Sequence, residues 1–122
     1  MRLFIGRSSL QPLVVFDLTQ SFLYIEGMSN LTSAADFYRS IGKWLIDHKS
    51  FIQPGTSLHL NLYYLNSSSQ KALYELLQTI QQQALPLSIT IIQRANGDNE
   101  DVVAFLGQIC RLLGLPYTIE EK

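Results

Sequence analysis

Short apolar runs alternate with longer stretches of three-four spacing along this chain. Leu13-Val14-Val15-Phe16 is a β-rich run closed by Asp17, and Phe22-Leu23-Tyr24-Ile25 is a second, ended by Glu26-Gly27. Only Leu18–Ser21 separates them, which predicts an antiparallel hairpin. A third strand is predicted over Ser57–Leu65, with Leu58, Leu60, Leu62 and Tyr64 on one face and His59, Asn61, Tyr63 and Leu65 on the other. It holds so little charge that both faces are expected to be covered. Leu87–Gln93 is a β-branched fourth strand, and Tyr117-Thr118-Ile119 is a candidate fifth at the sheet edge.

Helical spacing fills the gaps. Ala34, Phe37, Tyr38, Ile41, Trp44, Leu45 and His48 make one apolar stripe, with Ser33 and Asp36 placed like a capping box. A second helix is predicted from about Ser68 to Gln83, with Leu73, Leu76, Leu77 and Ile80 inward, and a third over about Glu100–Leu113. The order is β-β-α-β-α-β-α, with a last β if Tyr117–Ile119 pairs. The strand-helix-strand unit from Ser57 to Gln93 implies a parallel pair with a right-handed crossover. The expected fold is a single α/β domain over residues 1–122: a mixed sheet of four to five strands carrying about three helices.

Composition narrows the classes. The chain has 122 residues, 47% of them hydrophobic and 16% charged, which excludes a disordered chain. The net charge of -1 and the lack of a basic stripe argue against nucleic-acid binding. No apolar run approaches the roughly 18 residues of a membrane span, and the opening Met1–Arg7 is too short in its apolar part for a signal peptide. No membrane insertion and a cytoplasmic location are therefore expected. The single cysteine, Cys110, reads as a small buried hydrophobe on the third helix.

Catalytic signals are sparse. No glycine-rich phosphate loop occurs, and His48 and His59 lie in different elements with a Pro-Gly turn between them. Asp98, Glu100 and Asp101 read as the solvated first turn of the third helix, complementing its dipole, rather than as a cation site. No metal, no cofactor and no enzymatic activity are expected.

The informative segment is Tyr63-Tyr64-Leu65-Asn66-Ser67-Ser68-Ser69-Gln70-Lys71, which joins a strand directly to a helix. The carboxyl end of a strand is where α/β sheets place their sites. Local physics leaves two readings. Asn66 or Ser67 can cap the helix by accepting from a first-turn amide. Capping explains one polar residue well and four in a row less well, because Ser is a poor helix former. Alternatively, a hydroxyl here is a phosphorylation site, since its phosphate would meet free amides and the positive end of the dipole.

Residues Leu60–Leu73, with Asn66-Ser67-Ser68-Ser69-Gln70-Lys71 at their centre, resemble the signature of the SiaC-type regulatory phosphoproteins: a strand, then Asn-Thr-Ser-Ser, a variable residue and Lys opening a helix. Gln11–Asp17, Tyr24–Ser29 and Asp98–Asp101 are similar to further family segments. The resemblance implies a fold like the STAS domain of anti-sigma factor antagonists and a phosphorylated residue at Ser67, where the family usually has Thr. It implies partner binding through Asn66, Ser67, Ser68, Ser69 and Lys71. It further implies a serine/threonine kinase, a PP2C-type phosphatase, and an unphosphorylated form that activates a diguanylate cyclase in cyclic-di-GMP and biofilm signalling. After Gly27 the family continues Arg-Ser-Tyr-Pro-Glu, whereas this chain has Met28-Ser29-Asn30-Leu31-Thr32, a difference that bears on partner choice. Two other readings remain beside the switch: a scaffold domain in which Asn66–Ser69 is only a cap, and an enzyme with a Ser nucleophile. The last lacks a base placed by the sequence.

Overall fold

A computed structural model describes all 122 residues. The strands are β1 (Arg2–Ile5), β2 (Leu13–Asp17), β3 (Phe22–Ser29), β4 (Thr56–Leu65), β5 (Leu87–Gln93) and β6 (Tyr117–Glu121); the helices are α1 (Ala34–Asp47), α2 (Ser67–Gln82) and α3 (Glu100–Leu113). They form one six-stranded sheet in the order β1-β2-β3-β4-β5-β6. The expected hairpin is β2–β3, antiparallel with Val15 opposite Tyr24. The pairs β3–β4, β4–β5 and β5–β6 are all parallel.

The sheet thus has six strands rather than four or five. The strand missing from the sequence reading is β1, a four-residue edge strand antiparallel to β2. Its alternation is weak because Leu3 and Ile5 are only half-buried and Phe4 stands 70% exposed. β3 also runs past Glu26-Gly27 to Ser29, since Gly27 adopts φ +126° and lets the strand continue where an L side chain would be strained.

Three crossovers step in one direction across the sheet, and right-handed connections of this kind put all their helices on one face. A single core of 29 buried residues lies between sheet and helices. From the sheet it takes Val14, Phe16, Leu23, Ile25, Leu58, Leu60, Leu62, Ile89 and Ile91; from the helices, Tyr38, Ile41, Leu45, Leu73, Leu77, Ile80, Leu106, Ile109 and Cys110. The predicted stripes of α2 and α3 therefore face inward. Ser33 makes no side-chain cap bond, so the expected capping box on α1 does not form.

The other face of the sheet has no helix over it, which corrects the expectation that both faces of β4 are covered. Its polar side chains pair with one another across the strands. Asn61 Nδ2 donates to Tyr24 Oη at 3.0 Å, Tyr63 Oη donates to Glu26 at 2.7 Å, and Phe22 stacks on Tyr24. Low charge here reflects local pairing, not burial under another layer.

A bulge sets the end of β4. Gly27 pairs with Leu62 but Met28 pairs with Tyr64, so Tyr63 is the extra residue. One added residue reverses the alternation, which is why Leu65 enters the core and Tyr64 is 45% exposed, the opposite of the sequence assignment.

Cys110 is fully buried, and burial pushes its thiol from an ordinary 9.0 up to about 11, with Arg111 pulling it back slightly. The folded state holds the neutral thiol. Its contribution is complete below pH 9 and falls as pH rises toward about 11, because the unfolded chain ionises first. Thiol reagents at pH 8 should label the native protein slowly and the denatured protein fast. Rapid native labelling would show that the inner face of α3 is open to solvent.

Candidate functional site

The junction between β4 and α2 is built from an accounting of backbone groups. A helix start leaves its first amides without intrahelical partners. Asn66 caps α2: its Oδ1 accepts from Ser69 N at 2.9 Å. Its own amide donates to Ser29 O at 3.1 Å, and its Nδ2 donates to Leu31 O at 3.0 Å. One asparagine therefore ends β4, starts α2 and pins the loop that leads from β3 to α1.

The serines divide by role. Ser68 Oγ accepts from Ala34 N at 3.3 Å and lies 3.4 Å from Thr32 O, so it supplies the cap that Ser33 does not. Ser69 is fully buried; its Oγ accepts from Ser29 Oγ at 2.7 Å, and Ser29 Oγ accepts from Tyr38 Oη at 2.8 Å. Burial drives the Tyr38 phenol far above its ordinary value, which keeps this hydroxyl chain neutral. Asn66, Ser68 and Ser69 thus look inward and clamp the β3–α1 loop. Ser67 alone of the four is exposed, at the first helical position.

This corrects part of the predicted partner surface. Ser69 is inaccessible, and Ser68 and Asn66 are largely committed to the loop. Ser29 and Tyr38, which the sequence reading did not connect with this site, complete it. Their only signal was a Ser beyond the end of the predicted second strand and a Tyr on an apolar stripe; nothing in the sequence set them beside Ser69, 40 positions after Ser29.

The helix that Ser67 opens carries no acidic residue at its start, whereas α1 has Asp36 and α3 has Glu100 and Asp101 in the first turn. With the amides of Asn66 and Ser69 engaged, those of Ser67 and Ser68 remain for an external acceptor. Lys71 lies one turn on, exposed and in no ion pair. Ser67 and Lys71 open onto a groove between α2 and α3 of about 450 Å³, floored by Tyr74, Phe105 and Ile109.

Neither histidine reaches this site. His48 stacks on Trp44 at the far end of α1, about 20 Å of helix from Ala34, beside which Ser68 lies. His59 faces Phe22 on the uncovered side of the sheet, about 23 Å of strand from Asn66. Ser67 therefore has no histidine beside it to act as a general base. Before α3, Asp98 pairs with Arg94 at 2.8 Å, and the buried Asn99 donates to Leu62 O and Ile92 O, each at 3.0 Å, tying β4 to β5. No helix is long and apolar enough to cross a membrane.

A profile described as SiaC family regulatory phosphoprotein matches residues 5–119. The chain belongs to the SiaC family. No curated protein sequence matches it significantly. Its fold is similar to SiaC of Pseudomonas aeruginosa, with a TM-score of 0.79 at 22% identity, covering 100% of this chain and 99% of that one. It is also similar to a chain in the complex of the diguanylate cyclase SiaD with its activator SiaC from the same organism, at TM-score 0.78 and 22% identity over 98% of this chain and 99% of that chain. Apo-SiaC from P. aeruginosa gives 0.76 at 23% identity over 98% of each chain. The likeness in fold extends over the whole length of this chain.

The division of roles in this SiaC-family site has a direct consequence for stability. Asn66→Ala should lower the unfolding free energy by about 1–2 kcal/mol, since it removes the cap and leaves Leu31 O without its donor. Ser67→Ala should change it by less than about 0.5 kcal/mol, as expected for an exposed side chain outside the clamp. Urea titrations of the two variants check this. Equal losses would mean that Ser67 shares the capping.

Proposed function

We propose that this SiaC-family protein is a partner-switching phosphoprotein modified at Ser67. A serine/threonine kinase adds the phosphate and a PP2C-type phosphatase removes it. The unphosphorylated form binds and activates an effector of the diguanylate cyclase class through Ser67, Lys71 and the exposed side of α2. Asn66, Ser68 and Ser69 contribute by holding the surface rather than by touching the partner. The reading rests on one observation above the others: of four consecutive polar residues at the junction, Ser67 is the exposed hydroxyl. The fold shared with an activator of a diguanylate cyclase supports the choice of effector.

The physics of the switch is local. A phosphate at Ser67 adds about 1.5 to 2 negative charges at a helix start that has no carboxylate of its own. The protein can meet that charge with the amides of Ser67 and Ser68, the helix dipole and Lys71. An interface that covers the same surface would have to desolvate the dianion without a prepared partner, which disfavours the complex. A modification can thus leave the fold intact and remove the effector. The alternative, a scaffold whose polar run is only a cap, draws on the clamp roles of Asn66, Ser68 and Ser69, and leaves Ser67 without a role.

The test is a labelling and binding series with a serine/threonine kinase, a PP2C-type phosphatase and a diguanylate cyclase from the same organism. Ser67→Ala should abolish labelling and bind the cyclase like the unmodified protein, while the phosphorylated form should bind at least a hundredfold more weakly. Ser67→Asp should fall between, having less charge and a different shape. Phosphate found at another residue, or equal affinity for all forms, would sink the switch and leave the scaffold.

A further inference from the structure

Resting on the switch at Ser67, we infer that the α2–α3 groove is the seat of the effector, and that it takes an apolar segment carrying a carboxylate directed at Lys71. The groove is open and largely apolar. Tyr74 supplies its α2 wall, Phe105 and Ile109 its α3 wall, and Leu112 stands 73% exposed at its rim. Leu112 is the most exposed large hydrophobic side chain of the protein. Tyr74, Phe105, Ile109 and Leu112 line one groove together, and a contiguous apolar patch, unlike a lone leucine, marks an interaction site.

The charge pattern identifies the occupant. Lys71 is the only charged side chain lining the groove, and it has no acidic partner in the protein. Of the other basic residues on the three helices, Arg39 pairs with Glu75, Lys43 pairs with Asp47, and Arg111 donates to Tyr117 Oη; Lys71 has no side-chain partner. A single unpaired cation at the end of an apolar groove is complementary to an apolar segment with one carboxylate. A segment with a basic residue at that point would meet repulsion instead.

The same residue explains how one phosphate clears the whole groove. Ser67 and Lys71 are four residues apart on α2, the spacing at which helical side chains meet. Phosphate at Ser67 takes the Lys71 ammonium and confronts the incoming carboxylate with like charge. Binding then loses its anchor and gains a repulsion in one step. The competing apolar surface, the uncovered sheet face with Phe4 at 70% exposure, cannot respond in this way. Phe4 lies three strand spacings from β4, about 14 Å, and on the opposite side of the sheet from the helices.

The experiment titrates the full-length diguanylate cyclase with the unmodified protein, Leu112→Asp, Lys71→Glu and Phe4→Asp, after circular dichroism melts on each. All three positions are exposed, so the folds should be unchanged. Leu112→Asp and Lys71→Glu should each weaken binding at least tenfold, and raising the salt concentration should weaken the unmodified protein more than Lys71→Glu. Phe4→Asp should bind within twofold of the unmodified protein. If Leu112→Asp and Lys71→Glu bind normally while phosphorylation still abolishes binding, the groove assignment is overturned and the switch stands. If Phe4→Asp alone loses binding, the effector sits on the sheet face. If the unmodified protein does not bind the cyclase, the proposed function falls together with the groove.

Discussion

Asn66 makes three connections that the rest of the site depends on. It accepts from Ser69 N, donates its side-chain amide to Leu31 O, and donates its backbone amide to Ser29 O. These bonds join the end of β4, the start of α2 and the loop before α1. Without them, the buried end of β3 and the first turn of α2 would each leave polar groups unpaired away from water, which proteins rarely tolerate. The surrounding serines extend the same constraint. Ser68 closes the start of α1 and Ser69 joins the buried hydroxyls of Ser29 and Tyr38. The polar run at 66–69 is therefore chiefly an internal clamp, and it fixes where the one outward hydroxyl stands.

That arrangement separates stability from signalling. A switch must change charge without unfolding its carrier. Here the residues that hold the junction point inward, and the residue that faces solvent holds nothing. The hydroxyl chain of Ser69, Ser29 and Tyr38 stays neutral because burial keeps the phenol protonated. A charge placed at Ser67 thus meets free amides and Lys71, not a buried network. The bulge at Tyr63 serves the same end, since it brings Leu65 into the core and lets β4 hand over to α2 with the correct side buried.

The uncovered face of the sheet shows how a neutral surface can form without a covering layer. Tyr24 with Asn61 and Tyr63 with Glu26 pair side by side across neighbouring strands, and Arg7 reaches Glu26 from the loop after β1. Burial raises the Tyr24 and Tyr63 phenols, and Glu26 raises Tyr63 further, so both stay protonated as hydrogen-bond donors or acceptors. The helical face, by contrast, excludes solvent by packing, and the groove beside α2 is the place where that packing is left open.

Periodicity in the sequence determined the three helices, the hairpin and the parallel crossover from β4 to β5, because each depends on residues close together in the chain. It located Asn66–Lys71 at a strand-to-helix junction, since a β-rich run followed by cap residues and a three-four stripe is a local signal. It did not reveal β1, whose four residues carry little alternation, or the bulge, because one extra residue is defined only against the partner strand. Nor could it sort the four polar residues by role. Asn66, Ser68 and Ser69 differ from Ser67 only through Ser29, Leu31, Thr32, Ala34 and Tyr38, which reach them through the parallel pairing of β3 with β4 and the packing of α1 against α2. Those contacts are made in space between distant segments, so only the tertiary structure decided which hydroxyl was left for a partner.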